Sequence, residues 1–378
     1  MPVKDRIVTW FIKNIYIPRR EIIDKPGFII NTVTKEDQTT HLREFFLPER
    51  LIELIENKIV ENYGDQGRKT LYSIGKKFGY VYSSMSNFPE RINDSEKKLK
   101  DFIYLFIRYC ESTYAQRADY DLNLDEKIFT INFNGYIICR HNGLGYIMTD
   151  GGCAGIWAYM MQDKDIEAFQ LECEGRGNQR CYVFCGPSQK VKEKIMTYYH
   201  EPDLPDIKFD ENYKSLNEIQ QTTYAKNSLK DLIDIGFIKY DEGVMSYNGM
   251  RLFSADSHLL YILEEEIMKL NNGEKILFEA CAEFGKELQR LCGENEYKKF
   301  IMDFFPALGF GEILIKKAEK IEIISGFYPW TSFSNRSKYI VFRGILSGFI
   351  SNSINKNIEL NDLKMNMSNY LTLSMSTN

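Results

Sequence analysis

The chain predicts an α+β protein made by tandem duplication, each half a set of helices followed by strands, and three observations carry that prediction. Its sequence matches itself with a period of about two hundred residues. Helix-period segments give way to strand-period segments in the same order in both halves. A polar, proline-bearing stretch lies between them.

Taken in order, residues 1–19 form an apolar run interrupted by Lys13, which we assign as an N-terminal helical extension. GFIINTVTKEDQ then predicts a hairpin, as GVMSYNGMRLF does in the second half, with YNG as its turn. LPERLIELIENKIVENYGDQG and FSADSHLLYILEEEIMKLNNG follow, 21 residues each, both amphipathic and both ending in a glycine-bearing loop. Directly after them GRKTLYSIGKKFG aligns with GEKILFEACAEFG, pairing Leu71 with Leu277 and Phe78 with Phe284. Strands are expected around NFNGYIICRHNG and IEIISGFYPWTS. The second match sets GGCAGIWAYMMQDKDIEAFQLECEG against GILSGFISNSINKNIELNDLKMNMS, pairing Gly155 with Gly348, and predicts a helix opened by small residues and then a strand. The prolines of EPDLPD mark the best linker. The expected organisation is therefore an extension over 1–19, a first domain over 20–187, a helical and polar linker over 188–235, and a second domain over 236–378.

Composition narrows the function classes. A formal charge of −5 with 27% charged residues excludes the basic excess of a nucleic-acid binder. No uninterrupted apolar run approaches 18 residues, so no membrane span is expected, and a cytoplasmic location follows as the expectation. Eight cysteines are read as thiols of a reducing compartment. Cys110, Cys139, Cys281 and Cys292 sit singly in apolar segments, whereas Cys153, Cys173, Cys181 and Cys185 cluster within 33 residues. No P-loop, G-x-S-x-G or H-E-x-x-H is present.

The run from GGCAGIWAYMM through LECEGRGNQRCYVF, preceded by GRKTLYSIGKKFG, resembles the 4-vinyl reductase or hydrocarbon-binding domain, whose tail motif is an acidic residue and Cys, a small Gly loop and a second Cys before a strand. Here the motif reads Glu172, Cys173, Gly175, Gly177 and Cys181. The second half resembles the same domain through YIVFRGILSGFISNSINKNIEL but has no tail cysteine. The resemblance implies a fold similar to the small subunits of the TRAPP tethering complex, with helices on an antiparallel sheet around an apolar pocket. It also implies that two copies in one chain pair as a pseudo-dimer.

By the same resemblance Cys153, Cys173 and Cys181 would hold a structural zinc, with Cys185 as fourth thiolate because Gln170 stands where the family has glutamate. The spacing C-x7-C-x3-C is no standard knuckle, and reduced core thiols or a redox pair remain open alternatives. Trp157 and Tyr159 in the first half, and Trp330 in the second, fall where the family's pocket would be walled. His141, before a glycine turn, and Arg343, able to orient a carboxylate, complete the expected ligand-binding set. The leading expectation is a protein that binds or senses a small apolar or aromatic ligand and acts through a protein partner. A tailoring enzyme using Cys185 or His141, and a TRAPP-like scaffold or dimer, are the alternatives.

Overall fold

The computed structural model describes residues 3–16, 22–35, 38–137, 147–195, 222, 224–241, 244–292, 297–317, 321–325, 338–365 and 371–377. The first half opens with α1 (Val3–Phe11), which runs into a π-helical turn over Ile12–Tyr16. Thr9 Oγ1 donates to Glu111 Oε2, and Tyr104 donates to Asp5, so α1 lies along α3. Strands β1 (Ile22–Lys25), β2 (Phe28–Lys35) and β3 (Gln38–Pro48) precede α2 (Glu49–Met85) and α3 (Glu96–Thr113). Then come β4 (Arg117–Asn123), β5 (Ile128–Asn134), α4 (Ile147–Met161), β6 (Ile166–Glu172), β7 (Cys181–Pro187) and α5 (Ser188–Lys192).

The second half begins with α6 (Leu229–Asp234), β8 (Lys239–Asp241), β9 (Val244–Tyr247) and β10 (Met250–Asp256). It continues through α7 (His258–Ile267), α8 (Gly273–Cys292), α9 (Tyr297–Ala307), β11 (Ile313–Lys317) and β12 (Ile321–Ser325). It ends with α10 (Ile340–Ile354), β13 (Ile358–Met365) and β14 (Leu371–Thr377). No helix among the described residues is long and apolar enough to cross a membrane.

The α+β class expected from the sequence is the observed one. Each half carries a four-stranded antiparallel sheet, ordered β4-β5-β7-β6 in the first and β11-β12-β14-β13 in the second. A third sheet joins the halves in the order β1-β2-β3-β10-β9-β8, its centre the antiparallel pair β3–β10. The YNG turn is present, with Asn248 and Gly249 both at positive φ as a two-residue hairpin requires.

The sequence match has a structural counterpart in how the two helix pairs touch. In α2–α4, a Cβ on Gly155 would fall 2.1 Å from Lys76 O; in α8–α10, one on Gly348 would fall 1.9 Å from Ala282 O. Lys76 and Ala282 are themselves aligned in the repeat, so the same backbone-to-backbone approach, which only glycine permits, occurs twice. The start of each crossing helix is also held alike. Met148 N donates to the buried Glu56 and Val341 N to the buried Glu264, each at 3.0 Å, giving an otherwise orphaned helix N–H a carboxylate partner.

The halves differ at the helix break. The sequence reads two helices in each half; α2 instead runs on through one non-helical residue, Gly64, whereas α7 and α8 are separated between Ile267 and Gly273.

The candidate ligand cavity and the cysteine hairpin

Where α2, α3, β3, β5 and α4 of the first half meet β10 and α7 of the second, they border a half-open cavity of about 160 Å³. Its walls are aromatic. Helix α2 contributes Phe78 and Tyr82, stacked 5.7 Å apart, and α3 contributes Phe106 and Tyr109. Phe133 and Tyr136 add a pair of rings 4.6 Å apart, and Phe253 closes the side formed by the second half.

Room for the cavity comes from small residues on α4. Gly152 and Cys153 face it, and a Cβ on Gly152 would meet nothing nearer than Gly75 O at 3.9 Å. Helix α10 has the same length of 15 residues and aligns with α4 without a gap. At the matching positions it carries Ile345 for Gly152, Leu346 for Cys153 and Phe349 for Ile156, all buried. Phe349 stacks on Phe300 at 5.3 Å, and Phe300, Phe304, Phe237 and Tyr247 pack together around it.

Polar groups on the cavity wall are few and mostly engaged. Tyr114 donates to Ser254 O at 3.0 Å, tying the halves together; burial holds its hydroxyl well above the usual tyrosine range, so it stays a donor. Tyr136 OH lies 3.4 Å from Thr149 Oγ1. Two carboxylates, Glu44 and Asp256, sit opposite each other in the β3–β10 register. The Cys110 thiol is pushed up, mainly by burial, and so is no ready nucleophile.

The expected ligand residues are not gathered there. Trp157 is on α4 but outside the cavity wall, donating to Lys127 O at 2.8 Å with its ring against Phe129. Tyr159 donates to Glu90 Oε1 at 2.6 Å and also lies away from the wall. Arg343 belongs to the second half: its Nε donates to Leu360 O at 2.8 Å and its Nη1 to Lys338 O at 3.2 Å. It thereby ties α10 to β13, as Asp150 at the matching position of α4 ties to β6 by accepting from Gln170 N at 3.1 Å. His141 and Trp330 lie outside the described residues. The residues that do form the wall from the second half carry no motif. What would have pointed to the cavity in sequence is the loss of volume from α10 to α4, read position by position.

LECEGRGNQRCYVFCGP forms the β6–β7 hairpin. Its loop is one 3-10 turn over Glu174–Arg176, closed by Arg176 N and Asn178 N donating to Cys173 O, with Gly177 at φ 88°. Asn178 Oδ1 accepts from Cys173 N, so the turn residues complete the backbone bonding of the hairpin's end. Glu172, the acidic residue of the motif, pairs on the surface with Arg180. Cys173, Cys181 and Cys185 are buried, and neither they nor Cys153 form a disulfide.

Cys185 and Cys153 are hydrogen-bonded thiols; burial first, and then Cys153, push the Cys185 thiol well above the ordinary range. Asp150 beside them is raised to about 8 by burial. Among the described residues no group of three or more His, Cys, Asp and Glu side chains is placed to hold a metal ion.

The geometry defines an α+β protein with an aromatic-walled cavity under a helix crossing. No family model and no curated protein matches the chain. Among solved structures it is similar to the phenol-responsive sensory domain of the transcription activator PoxR, solved with phenol, at 15% identity and a TM-score of 0.36, over 51% of this chain and 95% of that one. A likeness of that size lends no weight to a functional reading.

Proposed function

We propose that this chain is a small-molecule binding protein made of two 4-vinyl reductase-like units, in which the first unit binds a small apolar or aromatic molecule and the second is a solid-cored copy that completes its wall. The supporting observation is the contrast along one aligned helix, where Gly152, Cys153 and Ile156 border a cavity while Ile345, Leu346 and Phe349 are core. An aromatic cavity with few polar anchors suits an apolar guest. Turnover finds less support, since the Cys185 thiol is buried and burial holds it protonated.

The test is thermal unfolding with and without single-ring apolar compounds. At a hundred times the dissociation constant a guest stabilises by about 2.7 kcal/mol, so a rise of several degrees is expected. No shift with any such compound at saturating concentration would sink the reading. Structural zinc on Cys153, Cys173, Cys181 and Cys185 is a separate proposal, carried by the family resemblance alone. Metal analysis of the purified protein decides it: one zinc per chain sustains it, and none makes the four cysteines plain core thiols.

A further inference from the structure

Helix α1 carries its apolar side outward. Against α3 it is held largely by polar bonds: Tyr104 donates to Asp5 Oδ1 at 3.0 Å, and Thr9 donates to Glu111 Oε2 at 2.9 Å. On the opposite side Val3 is 73% exposed, Ile7 62%, Trp10 58% and Phe11 49%. The other large exposed hydrophobics among the described residues, such as Ile92, Ile235 and Leu291, are scattered singly through the chain, which is ordinary; four on one short helix are a patch. At 3.6 residues per turn the four share an arc of about 100°. The same winding sets Lys4 at one border of the arc and Arg6 at the other, both exposed, and Lys13 follows in the π-helical turn. The one acid of α1, Asp5, is turned inward to Tyr104. The open face is thus an apolar stripe rimmed by cations, on a chain whose formal charge is −5.

We propose that this face of α1 docks the protein on an anionic lipid surface, Val3, Ile7, Trp10 and Phe11 entering the boundary between headgroups and acyl chains while Lys4, Arg6 and Lys13 reach the headgroup anions. Charge decides between the occupants such a stripe can have. A second copy seated face to face would bring two cationic rims together, with no acid of the helix turned outward to answer them. An anionic bilayer answers both features at once: the apolar arc is buried, tryptophan sits at headgroup level, and long basic side chains extend along the apolar surface to the charged layer. The contact is peripheral, since no helix among the described residues is long and apolar enough to span a membrane.

The experiment is co-sedimentation of the full chain with vesicles of phosphatidylcholine alone and of phosphatidylcholine mixed with phosphatidylserine, at low and at high salt. The mixed vesicles are expected to bind about tenfold or more tighter, because each basic side chain at an anionic surface adds to the attraction, and high salt should remove most of that gain. Trp10→Glu, at an exposed position, should abolish sedimentation and leave the unfolding temperature unchanged; Ile7→Glu repeats the test should Trp10→Glu not fold. Lys4→Gln combined with Arg6→Gln should take away most of the preference for the mixed vesicles. No sedimentation with either vesicle, equal binding to both, or binding that survives the glutamate variants would overturn the inference. So would a dimer, seen by analytical ultracentrifugation without lipid, that Trp10→Glu dissociates, since a second copy would then cover the face. None of these readouts involves the cavity, so the ligand reading stands or falls separately.

Discussion

The two halves have the same strand order and the same glycine-mediated helix crossing, yet the crossing helix borders a cavity in one and carries buried bulky side chains at the matching positions in the other. The difference does not lie in the frame. Gly155 and Gly348 make one contact twice, and Glu56 and Glu264 hold the start of the crossing helix in the same manner. What changes is side-chain volume on the inner face of that helix, and charge on its partner. Lys76 and Glu167 form a fully buried ion pair at 2.9 Å, to which Tyr72 also donates; the matching residues for Lys76 and Tyr72 are Ala282 and Phe278. A fold can therefore be kept by its backbone contacts while its interior is rewritten, because the helix crossing is paid for by glycine and capping, not by the residues that face the sheet.

Five substitutions sharpen or break that comparison. The largest effect is expected from Lys76→Met, which strands Glu167 without its cation at full burial and should cost about 3–5 kcal/mol in denaturant unfolding. A loss below about 1 kcal/mol would mean the pair is expendable, as its absence from the second half would then suggest. Gly155→Ala and Gly348→Ala should each cost about 3 kcal/mol or fail to fold, since the new methyl would fall about 2 Å from a carbonyl oxygen. Equal losses are expected, and a clear inequality would show that the two crossings are not equivalent.

Phe349→Ile, which copies Ile156 into the second half, should cost about 1–2 kcal/mol through the space it leaves beside Phe300. Smallest in stability but decisive for function is Cys153→Leu, which copies Leu346 into the first half. Stability should change by less than about 1 kcal/mol, while the thermal shift with single-ring compounds disappears. A retained shift would place the guest elsewhere.

Much of this architecture was legible from residues. The α+β class and the YNG turn came from patterns that short-range physics enforces: amphipathic period, alternation and positive φ. The cavity was not so readable. Trp157 and Tyr159 stand on the correct helix, but α4 is buried on most of its circumference, so period alone does not say which side meets the cavity. Their rings are instead taken up by Lys127 O and Glu90. Phe253 lies some hundred residues from the Gly152 and Cys153 with which it shares the cavity, brought there because β10 pairs with β3.

By itself, then, the sequence determined the α+β class and several of its elements, since helix period, strand alternation and glycine spacing act between near neighbours along the chain. Only the tertiary structure decided which of the two matching helices borders a cavity. Empty volume is a property of what several distant segments leave between them, and no one segment records it.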